Sequence, residues 1–151
     1  MILAGQICDA EGHVDPTEQL LKELTEAAGI PGYEGQVRAI MHRHLAPFAT
    51  VEYDQLGSII GKRVGDAEHP RVMVASHMDE VGLMVRYVTQ GGMIRFHQVS
   101  SVWEQLLLGQ RVVIKTSKGD VIGVLGAKPI HLLQSQEERK KLIETKDMYI
   151  D

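Results

Sequence analysis

A single cysteine, Cys8, in 151 residues excludes an intramolecular disulfide and fits a reducing compartment. The chain is therefore expected in the cytoplasm, with Cys8 an ordinary thiol in a tail and not a nucleophile. Aromatic residues make up only 5%, and no cationic stripe interleaves with them; a formal net charge of -4 adds to the case against a nucleic-acid partner. No apolar run approaches the length of a membrane span. The apolar opening Met1 to Cys8 lacks a basic flank and meets Asp9 and Glu11 too early for a signal peptide, so no membrane partner is expected. Missing too are a G-x-S-x-G elbow, a Walker-type phosphate loop and an H-E-x-x-H pair, which leaves serine hydrolases, P-loop enzymes and simple zincins without support. No internal repeat or low-complexity tract stands out.

What is present is enough for a real core, since 44% of the residues are hydrophobic. Residues 1–14 lack a clean period and read as a flexible N-terminal extension. Asp15-Pro16-Thr17-Glu18 then opens a helix: Asp15 caps, Pro16 suits the first turn, and Glu18 completes a capping-box-like pair. Leu20, Leu21, Leu24 and Ala27 form its apolar stripe, and Gly29 is expected to end it. Gly32-Tyr33-Glu34 opens a second helix that buries Val37, Ile40, Met41 and Leu45 and stops at Pro47.

Beyond Pro47 the period becomes extended. Strands are predicted at 50–54, 58–64 and 72–76, which with two preceding helices suit the front of an α/β domain. After Glu80 the texture is all-β: 81–89, a Gly91-Gly92 turn, 93–99, 111–116, a Lys118-Gly119-Asp120 turn, and 121–125. Short strands between glycine turns point to a small barrel or sandwich. A polar helix begins at Ser135, and 148–151 reads as a further strand.

The stretch Val72-Met73-Val74-Ala75-Ser76-His77-Met78-Asp79-Glu80 carries the chemistry. On a strand, residues two apart share a face roughly 6.5 to 7 Å apart, so Asp79 is placed to reach the imidazole of His77. A carboxylate there fixes the ring and leaves the other nitrogen for a metal. An isolated H-x-D is equally compatible with a histidine and an aspartate satisfied at a strand end.

Four segments in order widen the pattern: L-L-K-E-L-T-E-A-A-G-I-P-G-Y-E at 20–34, A-S-H-M-D-E-V-G-L-M-V at 75–85, L-G-Q-R-V-V-I at 108–114, and G-V-L-G-A-K-P-I-H-L-L at 123–133. From about Leu20 to Asp151 the chain resembles the glutamyl-aminopeptidase and tetrahedral-aminopeptidase group of co-catalytic metallopeptidases, some of them labelled endoglucanases. The resemblance implies an α/β fold in which 15–79 form the front of the peptidase domain. Residues 80–147 would be a small inserted β-rich dimerisation domain, barrel or sandwich, and 148–151 a truncated strand returning to the peptidase domain. It implies hydrolysis of N-terminal residues from peptides with two divalent metals per site, zinc or cobalt, and homo-oligomers built through 80–147. Residue by residue, it carries over only His77 as a metal ligand and Asp79 as the group that orients it. The family's bridging aspartate, glutamate pair, further aspartate and final histidine fall after the last residue of this sequence, so the chain is expected to be inactive alone.

Other candidates read as structural. His42 and His44 lie two apart on a helix and diverge; His69 sits in a turn, His97 alternates with a buried Phe96, and His131 suits a structural hydrogen bond. His13 falls in no ligand spacing. Glu80 neighbours Asp79, so on a strand it faces away and makes a poor general base. Glu52 and Asp54 read as a solvated face, and Glu137-Glu138 as a polar helix. Trp103 reads as a core or interface anchor after Ser100-Ser101, where the family has two glycines. Leu106-Leu107-Leu108 reads as core or, if exposed, an association patch. Two functions follow: a metal-dependent aminopeptidase, or a non-catalytic oligomerisation or binding module derived from one.

Overall fold

The computed structural model describes residues 15–151, and the expectations for 1–14, Cys8 and His13 lie outside that span. The chain divides into two compact units, the first ending at Glu80 and the second running Val81–Asp151. Helix and antiparallel sheet are mixed, in line with an α/β assignment.

In the first unit, helix α1 (Pro16–Glu26) starts where the Asp15 carboxylate accepts from the Thr17 N–H at 2.7 Å, with proline in the first turn. It ends at Glu26 because Ala27 turns extended, three residues before the expected stop at Gly29. Gly29 is used instead for close packing: a Cβ there would lie 2.8 Å from Val37 Cγ2 and 3.4 Å from the Met78 carbonyl oxygen. Helix α2 (Gly35–Leu45) carries His42, Arg43 and His44 in its last turn and buries Val37, while Ile40, Met41 and Leu45 are half-buried. Its Leu45 packs over Gly61 of the hairpin formed by β1 (Thr50–Tyr53) and β2 (Ile59–Lys62). The helices meet where Arg43 pairs with Glu23.

The predicted strand at 72–76 does not form. Residues 70–81 take no regular structure, and Val72, Met73 and Val74 are 80%, 88% and 93% exposed. A strand exists only through ladder bonds to a neighbour, and among the described residues none pairs with this run.

The second unit is one five-stranded antiparallel sheet in the order β3-β4-β7-β6-β5, an open half-barrel among the described residues and not two stacked sheets. Strands β3 (Gly82–Val88) and β4 (Ile94–Val99) form a hairpin with a bulge between Val85 and Tyr87. Strands β5 (Arg111–Thr116) and β6 (Gly119–Ala127) form another, turning on Ser117-Lys118; Gly119, at φ 120°, opens β6 and is not the centre of the turn. A short helix α3 (Gln136–Lys140), capped by Ser135, precedes β7 (Met148–Ile150).

Strand β7 lies between the hairpins, pairing Ile94↔Ile150 on one side and Leu125↔Ile150 on the other. Its alternation explains why: Met148 and Ile150 join Phe96 and Leu125 in the core, against Ile94, Val112 and Ile114, while Tyr149 turns the other way. Arg95 steadies it by donating to the Met148 carbonyl at 2.7 Å. Gly123 is required beside it, since a Cβ would lie 2.4 Å from Ile150 Cγ2.

Trp103 is 66% exposed, so it is no core anchor. The Gln98 amide donates to the carbonyls of Ser100 and Val102, and Ser100 sits at φ 71°, in the left-handed region glycine favours. Of the leucine run, Leu106 is exposed while Leu107 and Leu108 pack on the core. Truncation at the centre of the sheet should be costly: Ile150→Ala is expected to destabilise the second unit by about 2–5 kcal/mol. Trp103→Ala should change stability by less than about 0.5 kcal/mol. Urea unfolding of both variants checks the contrast.

Candidate functional site

His77 and Asp79 do meet. The His77 Nδ1 lies 2.9 Å from the Asp79 carbonyl oxygen and 3.3 Å from its Oδ1. A carbonyl can only accept, so Nδ1 must carry the proton and, in the neutral ring, the lone pair sits on Nε2. The main chain of Asp79 therefore supplies the nearer acceptor, with the carboxylate beside it. The arrangement comes from an irregular segment, not from the strand geometry expected of it. The His77 side chain is 82% exposed, and Asp79 is half-buried.

Glu80 has a definite role that the strand rule did not anticipate. Its Oε1 accepts from the Gly29 N–H at 3.2 Å, and its own N–H donates to the Gly29 carbonyl at 2.8 Å. That carboxylate is committed to the backbone.

Among the described residues, the other histidines stay apart from this pair. His42 is exposed and stacks on Tyr53, with ring centroids 6.2 Å apart. His44 is not on a freely solvated face: its Nε2 is shut off from solvent, without a hydrogen bond, 3.5 Å from the Glu23 carboxylate. His69, His97 and His131 are exposed, and among the described residues His131 makes no side-chain hydrogen bond of the kind expected. Glu137 and Glu138 are exposed on α3, where Glu138 accepts from the Gln134 N–H.

Asp54 is exposed, as expected of a solvated face, and it also closes a turn. Its Oδ1 accepts from the N–H groups of Leu56 and Ser58 at 2.9 and 2.8 Å, closing the turn between β1 and β2 around Gly57 at φ 91°. The D-x-x-G-S pattern was the signal that could have found it. Arg38 secures the same turn by donating to the Gly57 carbonyl at 2.7 Å.

Among the described residues no three His, Cys, Asp or Glu side chains converge as a metal cage would require. The fit to a metal thus extends to one ligand position, the His77 Nε2, since a catalytic zinc takes roughly three protein ligands and an open position. No catalytic step through a metal can be built on these residues. An open cavity of about 580 Å³ lies within the second unit between Trp103, Glu104, Lys141, Leu142 and Glu144, and its lining contains neither His77 nor Asp79.

A family model described as M42 glutamyl aminopeptidase matches residues 57–151, and one described as AMPT matches 15–41. The lysyl aminopeptidase of Pyrococcus furiosus is 33% identical over 135 residues, 88% of this chain and 38% of that protein. Among solved structures, the TET aminopeptidase of Thaumarchaeota archaeon SCGC AB-539-E09 superposes with a TM-score of 0.86 at 42% identity, over 91% of this chain and 38% of that one. The Pyrococcus horikoshii TET1 peptidase, which can assemble into a tetrahedron or a large octahedral shell, gives 0.75 at 37% identity, over 89% of this chain and 39% of that one. The chain spans less than two fifths of the length of these relatives.

The Asp54 turn has a consequence that pH can read. Hydrogen bonds from Ser58, its hydroxyl first and its main-chain N–H second, hold the Asp54 carboxyl below its ordinary value of 3.8. A carboxyl depressed in the fold contributes stability that is present above the unfolded value and lost as pH falls through the lower folded one. Carboxyl-detected NMR should place the Asp54 midpoint below 3.8, and Ser58→Ala should move it upward. A midpoint unchanged by that substitution would contradict the assignment.

Proposed function

The chain belongs to the M42 glutamyl aminopeptidase family, and from that premise we propose that it carries the first metal-ligand element of a metal-dependent aminopeptidase. One observation carries the proposal: the Asp79 main chain holds the Nδ1–H of His77 at 2.9 Å, which leaves Nε2 as the free donor atom on an accessible imidazole. An outer acceptor of this kind orients a metal-bound histidine and raises its basicity. In this reading His77 is the ligand, Asp79 orients it through its carbonyl and carboxylate, and the ion is a divalent metal such as zinc or cobalt, with two ions in a complete site. When bound, such ions lower the pKa of water and polarise the scissile carbonyl of a peptide.

Residues 15–79 belong, on the same reading, to the front of the peptidase domain. Residues 80–147 are the inserted β domain, through which copies of the chain associate. The likeness to a TET1 peptidase that forms a tetrahedron or an octahedral shell supports association of this kind. So do the exposed Val113, Ile122 and Val124 on the β5–β6 hairpin.

Because among the described residues only His77 and Asp79 come together, the 151-residue chain alone is expected to release no N-terminal residues from aminoacyl substrates with or without zinc or cobalt. Metal-dependent turnover by the purified chain would overturn that expectation. Calorimetric titration with zinc is expected to show at most weak binding, and His77→Ala should abolish it; zinc retained at full strength in that variant would remove His77 from the ligand set.

A further inference from the structure

We infer that Glu80 is a positioning residue, clamping the His77–Asp79 segment to Gly29 through two hydrogen bonds; this rests on the metal-ligand reading of His77 given above. The bonds join residues 51 positions apart and engage both polar main-chain groups of Gly29, its N–H at 3.2 Å by the Glu80 carboxylate and its carbonyl at 2.8 Å by the Glu80 N–H. Gly29 is itself buried and wedged against Val37 of α2 and the main chain at Met78, so its place is set by α2. Ala28, just before it, donates to the Gln36 side chain at 3.0 Å. The clamp thus ties the residues around the imidazole to a connecting residue that is itself packed against α2.

Its importance follows from what the neighbouring chain lacks. Among the described residues, 70–81 form no ladder bonds, and the Gly29–Glu80 pair supplies the hydrogen bonds that connect this stretch to a distant part of the first unit. His77 and Asp79 stand within three residues of that anchor. A carboxylate is the stronger acceptor for a backbone N–H. Engaged in this way, Glu80 acts through the segment it holds.

The test uses the 151-residue chain without metal, with two readouts: hydrogen exchange at the Gly29 amide, and the ring-nitrogen NMR shifts of His77 in mildly alkaline buffer, which report its tautomer. In the parent chain the Gly29 amide should be protected relative to 72–76, and His77 should be predominantly protonated at Nδ1. Glu80→Ala should accelerate Gly29 exchange by about tenfold, the loss expected of one net hydrogen bond, and shift His77 toward a mixture of tautomers. Glu80→Gln, whose amide oxygen accepts from the same N–H, should restore both signals. An unprotected Gly29 in the parent chain would overturn the clamp, and that measurement stands even if Glu80→Ala fails to fold. So would a His77 tautomer indifferent to Glu80→Ala, or a Glu80→Gln chain that behaves like the alanine variant. Since neither readout uses metal or peptide, these failures would leave the aminopeptidase reading standing, whereas zinc binding that survives His77→Ala would sink that reading and leave the clamp intact.

Discussion

Pairing at Ile150 is the constraint on which the second unit depends. Two hairpins, each closed locally by a short turn, share no strand until β7 enters between them and bonds to β4 and β6. Met148 and Ile150 are two of the four buried core residues of that unit, so a strand of three residues both joins the ladder and fills the space beneath it. Local turns cost little entropy to close, while the register between β7 and its partners is non-local and must be recovered from packing. Arg95 and Gly123 serve this insertion from opposite sides, one by gripping a carbonyl and the other by making room.

In the first unit the corresponding constraint is a hydrogen bond that permits only one direction of donation. The carbonyl of Asp79 fixes which nitrogen of His77 holds the proton, and so which is free. The backbone delivers this even though the segment is not a strand. The tautomer is thereby set by two residues, while membership of the M42 glutamyl aminopeptidase family rests on a match over residues 57–151, which takes in the whole second unit and the end of the first.

Features built from neighbours in sequence were legible. Asp15-Pro16 announced α1, and the glycine turns bounded strands close to where they form, because caps and hairpins are local. His77 with Asp79 was legible because two residues suffice to define the contact. Features decided at long range were not. Nothing in Met148-Tyr149-Ile150 says that its partners are Ile94 and Leu125, and nothing in Gly29 says that it gives up a helix stop to admit Val37. The run at 72–76 forms no strand for the same reason: apolar composition with two valines suits a strand but cannot provide the neighbour that completes it. Glu80 was misplaced by the alternation rule once the strand itself was absent.

The bare run Val72-Met73-Val74 also governs how this polypeptide behaves in the test tube. Two valines of strong β preference around an apolar methionine, with main-chain groups that no ladder occupies among the described residues, make a template for cross-chain pairing. Colloidal behaviour is thereby uncoupled from folding free energy, because the sticky element stays in water in the native state. Better-packed helices or a tighter sheet would not make the chain more soluble, whereas a charge introduced within the run would, as gatekeeper residues do beside aggregation-prone strands.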